Sequence, residues 1–297
     1  MIKTKPLAAA ACGLIALAGM TANAGLLSSE SFSGYTVGTQ VTADTPSPTV
    51  AGYTGNWTAV DYGGVHPTTT AGSLAYGGAG YAVTPGNNIA VPTYSGGIGY
   101  NNSGRMYRLL DSTTTVTSST VGTIYLSWLY QSGQQGGATT YQMLDLYNGG
   151  TADNQRTFTA GLTQNGGNSG SQYDFGVNEG YHSTGVTADT AVHLFVVEFN
   201  LSATAGGDSV TVWLDPTLGA GDPSGGVTVS GQNIAFDRLA ISDYASTGST
   251  GNSGAWDNIR FGTTFNDVTI AAVPEPTTLA PLCGIVGLAL WFRRRSA

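Results

Sequence analysis

The chain has 297 residues, of which 41% are hydrophobic and only 9% charged, and its formal net charge is −8. Residues 25–272 hold 17 acidic residues against five arginines and no lysine, a net charge of about −12. Neither phosphate contacts nor counterion release would favour binding to such a surface, so nucleic acid and anionic lipid surfaces are poor partners for the body. Cations and neutral polymers are better candidate partners for this acidic surface.

The first 24 residues have the pattern of a secretory signal peptide. Two lysines lie near the start, an apolar run spans Leu7–Met20, and Ala22 and Ala24 flank Asn23 directly before Gly25. Small residues in this A-x-A arrangement mark a signal-peptidase site. We therefore expect export, with signal peptidase cleaving between Ala24 and Gly25.

Residues 25–272, here called the body, have the sequence pattern of an all-β domain. From Gly104 onward, short runs rich in β-branched and aromatic residues alternate with Gly, Asn, Asp or Pro. The predicted strands are Met106–Leu110, Ile124–Tyr130, Tyr141–Tyr147, Arg156–Leu162, Tyr173–Val177, Ala191–Asn200, Ser209–Leu214, Ile234–Ile241 and Trp256–Phe261. Before Gly104 only Glu30–Phe32 and Asn56–Val60 suggest short edge strands.

This strand pattern predicts a β-sandwich or jelly roll. No body segment shows the apolar 3.6-residue period of a helix, so none is expected there. The body has no cysteine, and disulfides therefore contribute nothing to its stability. The run Ala191–Asn200 is apolar on both parities and is expected in the interior of a sheet, with His193 as a packed histidine rather than a ligand.

Strand parity separates a core face from an opposite face that carries aromatic rings, because side chains alternate across a strand. The core parity carries Leu144, Leu146, Val210, Val212 and Leu214. The opposite parity carries Tyr141, Tyr147 and Trp213. Aromatic faces stack against the C–H surfaces of sugars, so we expect these three rings to be exposed and to contact a glycan. The alternative is that the rings pack beneath a loop.

The last 25 residues, Val273–Ala297, have three parts in order. Pro274, Glu275 and Pro276 form a triplet that stays extended, because both prolines fix φ and lack an N–H. The apolar run Leu279–Phe292 has 14 residues, fewer than the roughly 20 that an upright transmembrane helix needs. The basic end consists of Arg293, Arg294 and Arg295, which orient the tail by staying on the cytoplasmic side.

This order of elements resembles the PEP-CTERM sorting tail of Gram-negative bacteria. The resemblance implies an exosortase as the processing enzyme in exopolysaccharide-producing cells, with cleavage at or near Pro274–Pro276. It also implies an inner-membrane intermediate held transiently by a C-terminal transmembrane helix. An ordinary C-terminal membrane anchor is the alternative.

A second resemblance covers about Val192–Thr269. The runs HLFVVEFNL, DSVTVWLDP, FDRLAISDY and AWDNIRFGTTFNDVT are similar to the concanavalin A-like, laminin-G-like module found in PEP-CTERM proteins. The resemblance implies that the strand Trp256–Phe261 closes the sandwich near the N-terminal strand. We therefore expect it to pair with the region of Glu30–Phe32.

Catalytic and cofactor motifs are missing from the sequence. Glycoside hydrolysis normally uses two carboxylates about 5–10 Å apart, and the body's three glutamates do not form the laminarinase-like Glu-x-Asp pattern. No G-x-S-x-G, H-E-x-x-H or Walker motif is present. We predict a non-enzyme without a cofactor. Calcium stays an alternative through the loop residues Asp208, Asp215, Asp222, Asp237, Asp243 and Asp257.

The sequence thus predicts three parts: a signal peptide (1–24), a β-sandwich body (25–272) and a sorting tail (273–297). The predicted protein is exported to the cell envelope, cell surface or extracellular matrix and associates with extracellular polysaccharide, as a glycan-binding protein. Two alternatives stay open: a glycan-active hydrolase or lyase of concanavalin A-like fold, and a purely structural matrix protein.

Overall fold

The computed structural model describes residues 25–41, 47–62, 67–78, 80–81, 83–90, 103–133, 140–163, 172–219, 223–245 and 254–269. These residues belong to the compact unit Gly25–Ala271. They form fifteen strands that pair in two antiparallel sheets. The predicted all-β sandwich is therefore confirmed, whereas the predicted signal peptide and sorting tail lie outside the described residues.

Sheet A has eight strands in the order β13-β12-β11-β6-β15-β4-β3, and β1 also pairs with β15. Its strands are β1 (Leu26–Glu30), β3 (Thr68–Ala71), β4 (Asn87–Ala90), β6 (Gly122–Ser132), β11 (Val192–Leu201), β12 (Asp208–Leu214), β13 (Val227–Gln232) and β15 (Gly254–Gly262). Glu30 of β1 lies opposite Ile259 of β15, which confirms the expected pairing of the two chain ends of the body.

Sheet B has seven strands in the order β10-β9-β8-β7-β14-β5-β2. Its strands are β2 (Tyr53–Tyr62), β5 (Ser103–Leu110), β7 (Thr140–Tyr147), β8 (Arg156–Leu162), β9 (Gln172–Val177), β10 (Gly180–Thr187) and β14 (Arg238–Ala245). Strand β8 has the predicted bounds, but β14 starts at Arg238 rather than Ile234. Strands β3, β4, β10 and β13 were not predicted.

The main core lies between the sheets and is built from the inward parity of each strand. Leu144 and Leu146 from sheet B and Val210 and Val212 from sheet A all belong to it, which confirms the predicted core parity. At its centre the rings of Trp128 and Phe195, paired neighbours on β6 and β11, stack with centroids 4.8 Å apart.

A second apolar cluster covers the opposite side of sheet A. This outer cluster consists of Leu74, Tyr125, Leu129, Leu194, Val196, Trp213, Phe265 and Val268. Strand β11 contributes to both clusters, so its two-sided apolar pattern was a correct sign of an interior strand. Burial of both faces explains why this strand is continuous in apolar residues rather than alternating.

A five-residue helix, α1 (Phe265–Thr269), and a 3₁₀ turn, Asp153–Gln155, complete the described fold. The expectation of no helix is therefore wrong for α1, which is too short to show a 3.6-residue period. Its last turn is fixed to sheet A because Ser127 Oγ donates to the carbonyl of Val268 at 2.7 Å. Within the described residues no helix has the length and apolar character needed to span a bilayer.

A buried ion pair attaches the N-terminal segment to sheet B. Arg108 Nη1 on β5 lies 2.8 Å from Glu30 Oε2, and both side chains are at most 2% exposed. The remaining Arg108 donors bind the carbonyls of Gly55 and Pro48 at 3.0 and 2.8 Å. Because every charged group is bonded, the pair links two sheets without leaving a buried charge uncompensated.

Candidate functional site

The three predicted glycan-contact rings do not share one surface. Tyr141 and Tyr147 lie on β7 in sheet B, whereas Trp213 lies on β12 in sheet A. All three do occupy the parity opposite the main core, as predicted. Tyr141 is half-buried, but Tyr147 and Trp213 are buried, so the expectation that these rings project into solvent is wrong for both.

Trp213 is covered because loops and α1 pack over the outer side of sheet A. Its side chain is 6% exposed, its ring lies 6.2 Å from that of Phe265, and its Nε1 donates to the carbonyl of Pro223 at 2.9 Å. A Cβ built on Gly226 would approach Nε1 to 2.5 Å, so only glycine lets that segment come so close. The loop alternative is therefore the correct one for Trp213.

Tyr147 is covered by Arg105 of β5, which is held in place by the connection that follows β7. The Arg105 guanidinium lies over the Tyr147 ring at 5.2 Å and donates to the carbonyl of Thr151 at 2.6 Å. Arg105 also pairs with Asp153 at 3.3 Å. The pKa of Tyr147 is raised, chiefly by burial and in second place by the neighbouring carboxylate of Asp145. The Tyr147 hydroxyl therefore stays protonated and donates to Asp145 Oδ2 at 3.2 Å.

The outer side of sheet B carries a polar row around Asp145. Asp145 is fully buried and its Oδ2 also accepts a hydrogen bond from Ser242 Oγ at 2.5 Å. Asp145 Oδ1 and the hydroxyl of its cross-strand neighbour Thr159 have no hydrogen-bond partner among the described residues. Burial alone would lower the pKa of Arg156, but the negative charge of Asp145 raises it above its ordinary value.

Next to this row is a surface pocket of about 360 Å³, here called the amide pocket. It is lined by Asn148, Asn154, Gln155, Arg156, Thr157, Asn178 and Glu179. The β7–β8 connection supplies the first three residues, β8 the next two, and the β9–β10 turn the last two. Arg156 is also tied to strand β10, since its Nη2 donates to the hydroxyl of Tyr181 at 2.9 Å.

The turn Asn178–Glu179 forms one wall of the amide pocket in an unusual backbone conformation. Both residues have positive φ, 45° and 68°, which is uncommon for residues other than glycine. The conformation is held from outside, because Asn178 Nδ2 donates to Gln232 Oε1 at 3.1 Å and to the Asn233 carbonyl at 3.3 Å. Glu179 is thereby fixed at the rim, exposed to solvent.

The β7–β8 connection forms the opposite wall. Asn148 N donates to the Gln155 carbonyl at 2.9 Å, and Gln155 Oε1 accepts from Ala152 N at 3.1 Å. The side chains of Asn148 and Asn154 make no hydrogen bond within the described residues and are exposed. They are therefore available to a ligand without breaking a contact that the fold needs.

Four of the six aspartates considered for calcium accept hydrogen bonds from the protein itself, namely Asp208, Asp215, Asp237 and Asp257. Asp208 accepts from the backbone N–H of Ser202 and Ile234 at 2.7 and 2.6 Å. Burial raises the pKa of Asp257 to about 7, although hydrogen bonds from two backbone N–H groups act in the opposite direction. Among the described residues, no three His, Cys, Asp or Glu side chains are grouped to hold a metal ion, and Asp222 lies outside those residues.

His193 is packed, as expected, and has an additional set of partners. Its ring lies 4.8 Å from that of Tyr173, with Nδ1 2.6 Å from Asp215 and Nε2 2.8 Å from Asp189. Burial alone would lower the pKa of His193, but the two carboxylates raise it. Both nitrogens are thus used within the fold, and His193 has no free position for a ligand.

Of the processing residues, only Gly25 is described. Ala22, Ala24, Pro274, Glu275, Pro276 and the arginines 293–295 lie outside the described residues, and their predicted roles stay predictions. Sequence reasoning missed the amide pocket, because its residues lie on connections without periodicity. The run Val-Asn-Glu-Gly between β9 and β10 was the one available signal, since Asn and Gly favour tight hairpin turns.

Comparisons with known proteins give distant structural likenesses. No family model and no curated protein matches the chain. A structure of botulinum neurotoxin type C, reported with its interaction with two ganglioside molecules, is 12% identical with a TM-score of 0.47, covering 86% of this chain and 51% of that one. The chain thus spans about half the length of that toxin structure.

Two further solved structures are similar over most of their own length. The cellulose-induced protein Cip1 is 16% identical with a TM-score of 0.44, covering 70% of this chain and 91% of that one. The metal-free Emp46p carbohydrate recognition domain is 11% identical with a TM-score of 0.41, and the match covers 69% of this chain and 87% of that one. At such low identities and TM-scores these likenesses decide nothing about function, which has to be argued from this chain's own residues.

Proposed function

We propose that the protein is exported, is sorted by its C-terminal tail to the cell surface or the extracellular polysaccharide matrix, and binds a neutral glycan. Its body is a concanavalin A-like jelly roll, and the amide pocket is its binding site. Export and sorting are supported by the two terminal signals of the sequence. The lining of the amide pocket is the observation that carries the binding proposal.

The lining matches the hydrogen-bonding chemistry of sugar hydroxyls. Four of the seven lining residues carry carboxamides, Asn148, Asn154, Gln155 and Asn178. Each carboxamide can both donate and accept, as a hydroxyl does. The volume of about 360 Å³ lies in the range of small-ligand sites. The charges of Arg156 and Glu179 offset each other, which favours a neutral sugar over an ionised one.

Binding is favoured over hydrolysis by the number of carboxylates. Glu179 is the one carboxylate among the residues that line the amide pocket. Hydrolysis of a glycoside normally uses an acid and a second carboxylate as nucleophile or base. Asp145 is fully buried beneath the polar row and bonded to Ser242, which leaves it poorly placed to reach a glycosidic oxygen.

The affinity is expected to be weak. Solvent-facing hydrogen bonds contribute only about 0.5–1.5 kcal/mol each, so a few of them give a Kd in the micromolar to millimolar range. Many copies displayed in a polysaccharide matrix would bind far more tightly through multivalency.

The proposal is tested by binding of the full, exported protein. A glycan array identifies the oligosaccharide, and affinity electrophoresis in the corresponding polysaccharide compares variants. The double variant Asn148→Ala, Asn154→Ala should bind roughly 5- to 150-fold more weakly, from a loss of about 1–3 kcal/mol. Asn266→Ala, an exposed asparagine on α1, is the matched control and should bind like the parent. Equal retention of the double variant would refute the assignment of the pocket.

A further inference from the structure

The first residue of the body is fixed beside the segment that ends it. Thr263 N donates to the carbonyl of Gly25 at 2.9 Å, and the next residue, Leu26, lies opposite Gly262 in the β1–β15 ladder. The start of β1 and the start of α1 are therefore neighbours in the structure.

Asp267 occupies the space that side chains at two glycines would need. A Cβ built on Gly25 would lie 2.2 Å from Asp267 Oδ2 and 2.3 Å from Thr263 Oγ1. A Cβ on Gly262 would lie 2.6 Å from the Cβ of Asp267. The carboxylate is thus packed directly against the Cα of Gly25, and Asp267 is only 8% exposed.

Among the residues that the structure describes, the Asp267 carboxylate has neutral partners only. Its Oδ2 accepts from Thr264 N at 2.8 Å and from the N–H and hydroxyl of Thr263 at 3.2 and 3.4 Å. Within the described part of the chain, neither an arginine nor a histidine forms an ion pair with it. A buried carboxylate gains most from a cationic hydrogen-bond donor.

We propose that Asp267 is the docking site of the α-ammonium group created when the signal peptide is removed. The inference rests on the proposed export. Hydrolysis of the Ala24–Gly25 bond consumes one water and leaves a carboxylate on Ala24 and an amine on Gly25. That amine has an ordinary pKa of about 7.7–8.0 and is protonated at neutral pH. Its nitrogen is one bond from the Cα that Asp267 touches.

Processing thus adds an ion pair that links β1 to α1. The α1 helix is the last described element before the Pro-Glu-Pro triplet, and it is held on sheet A by the Ser127–Val268 contact. The new ion pair would fix α1 from its other side. Removal of the signal peptide would then stabilise α1, the element that precedes the sorting tail in the sequence.

The composition of the mature protein provides a selective test. All lysines of the sequence lie in the signal peptide, so the α-amine of Gly25 is the one amine that acetylating reagents can modify after export. We would purify the exported protein, confirm Gly25 as its first residue by intact mass, acetylate it and compare thermal unfolding at pH 6.5. Acetylation should lower Tm by about 1–3 °C, as for a partly exposed ion pair in a domain of this size.

The same treatment of Asp267→Asn isolates the pair. Acetylation should leave the Tm of that variant unchanged, and the pKa of the Gly25 amine, measured by NMR, should be above its ordinary range in the parent and return to it in the variant. An equal loss of Tm in both proteins, or an ordinary pKa in the parent, would overturn the docking site while leaving export intact. A different first residue on the exported protein would overturn the docking site alone, whereas failure to recover any exported protein without its signal peptide would overturn export as well. Should Asp267→Asn not accumulate, the pKa in the parent decides alone.

Discussion

Replacing Trp213 by alanine should destabilise the body, because the ring is a structural part of the outer cluster. The side chain packs against Phe265 and donates through Nε1 to the Pro223 carbonyl. Alanine removes both contacts and leaves a cavity beneath the loop that ends at Gly226.

The structure sets the magnitude of this loss. Truncating a buried tryptophan typically costs about 3–5 kcal/mol in unfolding free energy. The value should lie in the lower half of that range, because Trp213 is 6% exposed and water can reach the Pro223 carbonyl after truncation. For a domain of this size, about 3 kcal/mol corresponds to a Tm lower by roughly 6–12 °C.

Urea unfolding followed by circular dichroism measures the effect. Trp213→Phe, which keeps most of the ring but not the hydrogen bond, should lose about 1–2 kcal/mol. Val121→Ala is the control for an apolar side chain that is 67% exposed, and it should change the unfolding free energy by less than about 0.5 kcal/mol. If Trp213→Ala behaves like Val121→Ala while glycan binding is lost, the ring is a ligand contact and the packing argument is wrong.

Two further predictions concern charged groups. Glu30→Gln leaves Arg108 buried without its counter-charge and should lower the free energy of unfolding, measured in urea, by about 3–5 kcal/mol. Asp153→Asn, at the exposed end of the Arg105 pair, should lower it by less than about 1 kcal/mol. Similar losses in both variants would show that the burial of the Glu30–Arg108 pair is unimportant. The folded-state pKa of His193 is raised above its ordinary 6.5, so its stabilising effect should be complete below pH 6.5 and disappear as pH rises through the folded pKa. Unfolding free energies of His193→Gln and the parent should therefore converge as pH rises to 9, and a constant difference would contradict the ion-pair account.

Much of the fold could be predicted from local pattern. The strands from Met106 onward alternate or are continuously apolar in a way that only a sheet accommodates, and the two-sided pattern of β11 correctly indicated an interior strand. The parity of Leu144 and Trp213 was also readable, because the side-chain period of a strand is fixed. Strand β10 was missed because its residues are polar or small and half-exposed, so it shows no apolar alternation.

The exposure of Trp213 and Tyr147 could not be predicted in the same way. Parity says which side of a sheet a ring takes but not what covers that side. Trp213 is covered by α1 and by the segment near Gly226, and Tyr147 by Arg105, which is distant in sequence. The amide pocket was hidden for a related reason, since it forms where two connections meet and neither carries a recognisable motif.

The most direct test of the account is to map the ligand on the mature protein. Backbone amide resonances of the isotope-labelled protein would be followed while a neutral oligosaccharide selected on the array is added. The largest shifts should fall on Asn154, Asn178 and Glu179 at the amide pocket. Shifts concentrated around Trp213 and Leu74 on the other sheet, with the amide pocket unchanged, would contradict the proposed site.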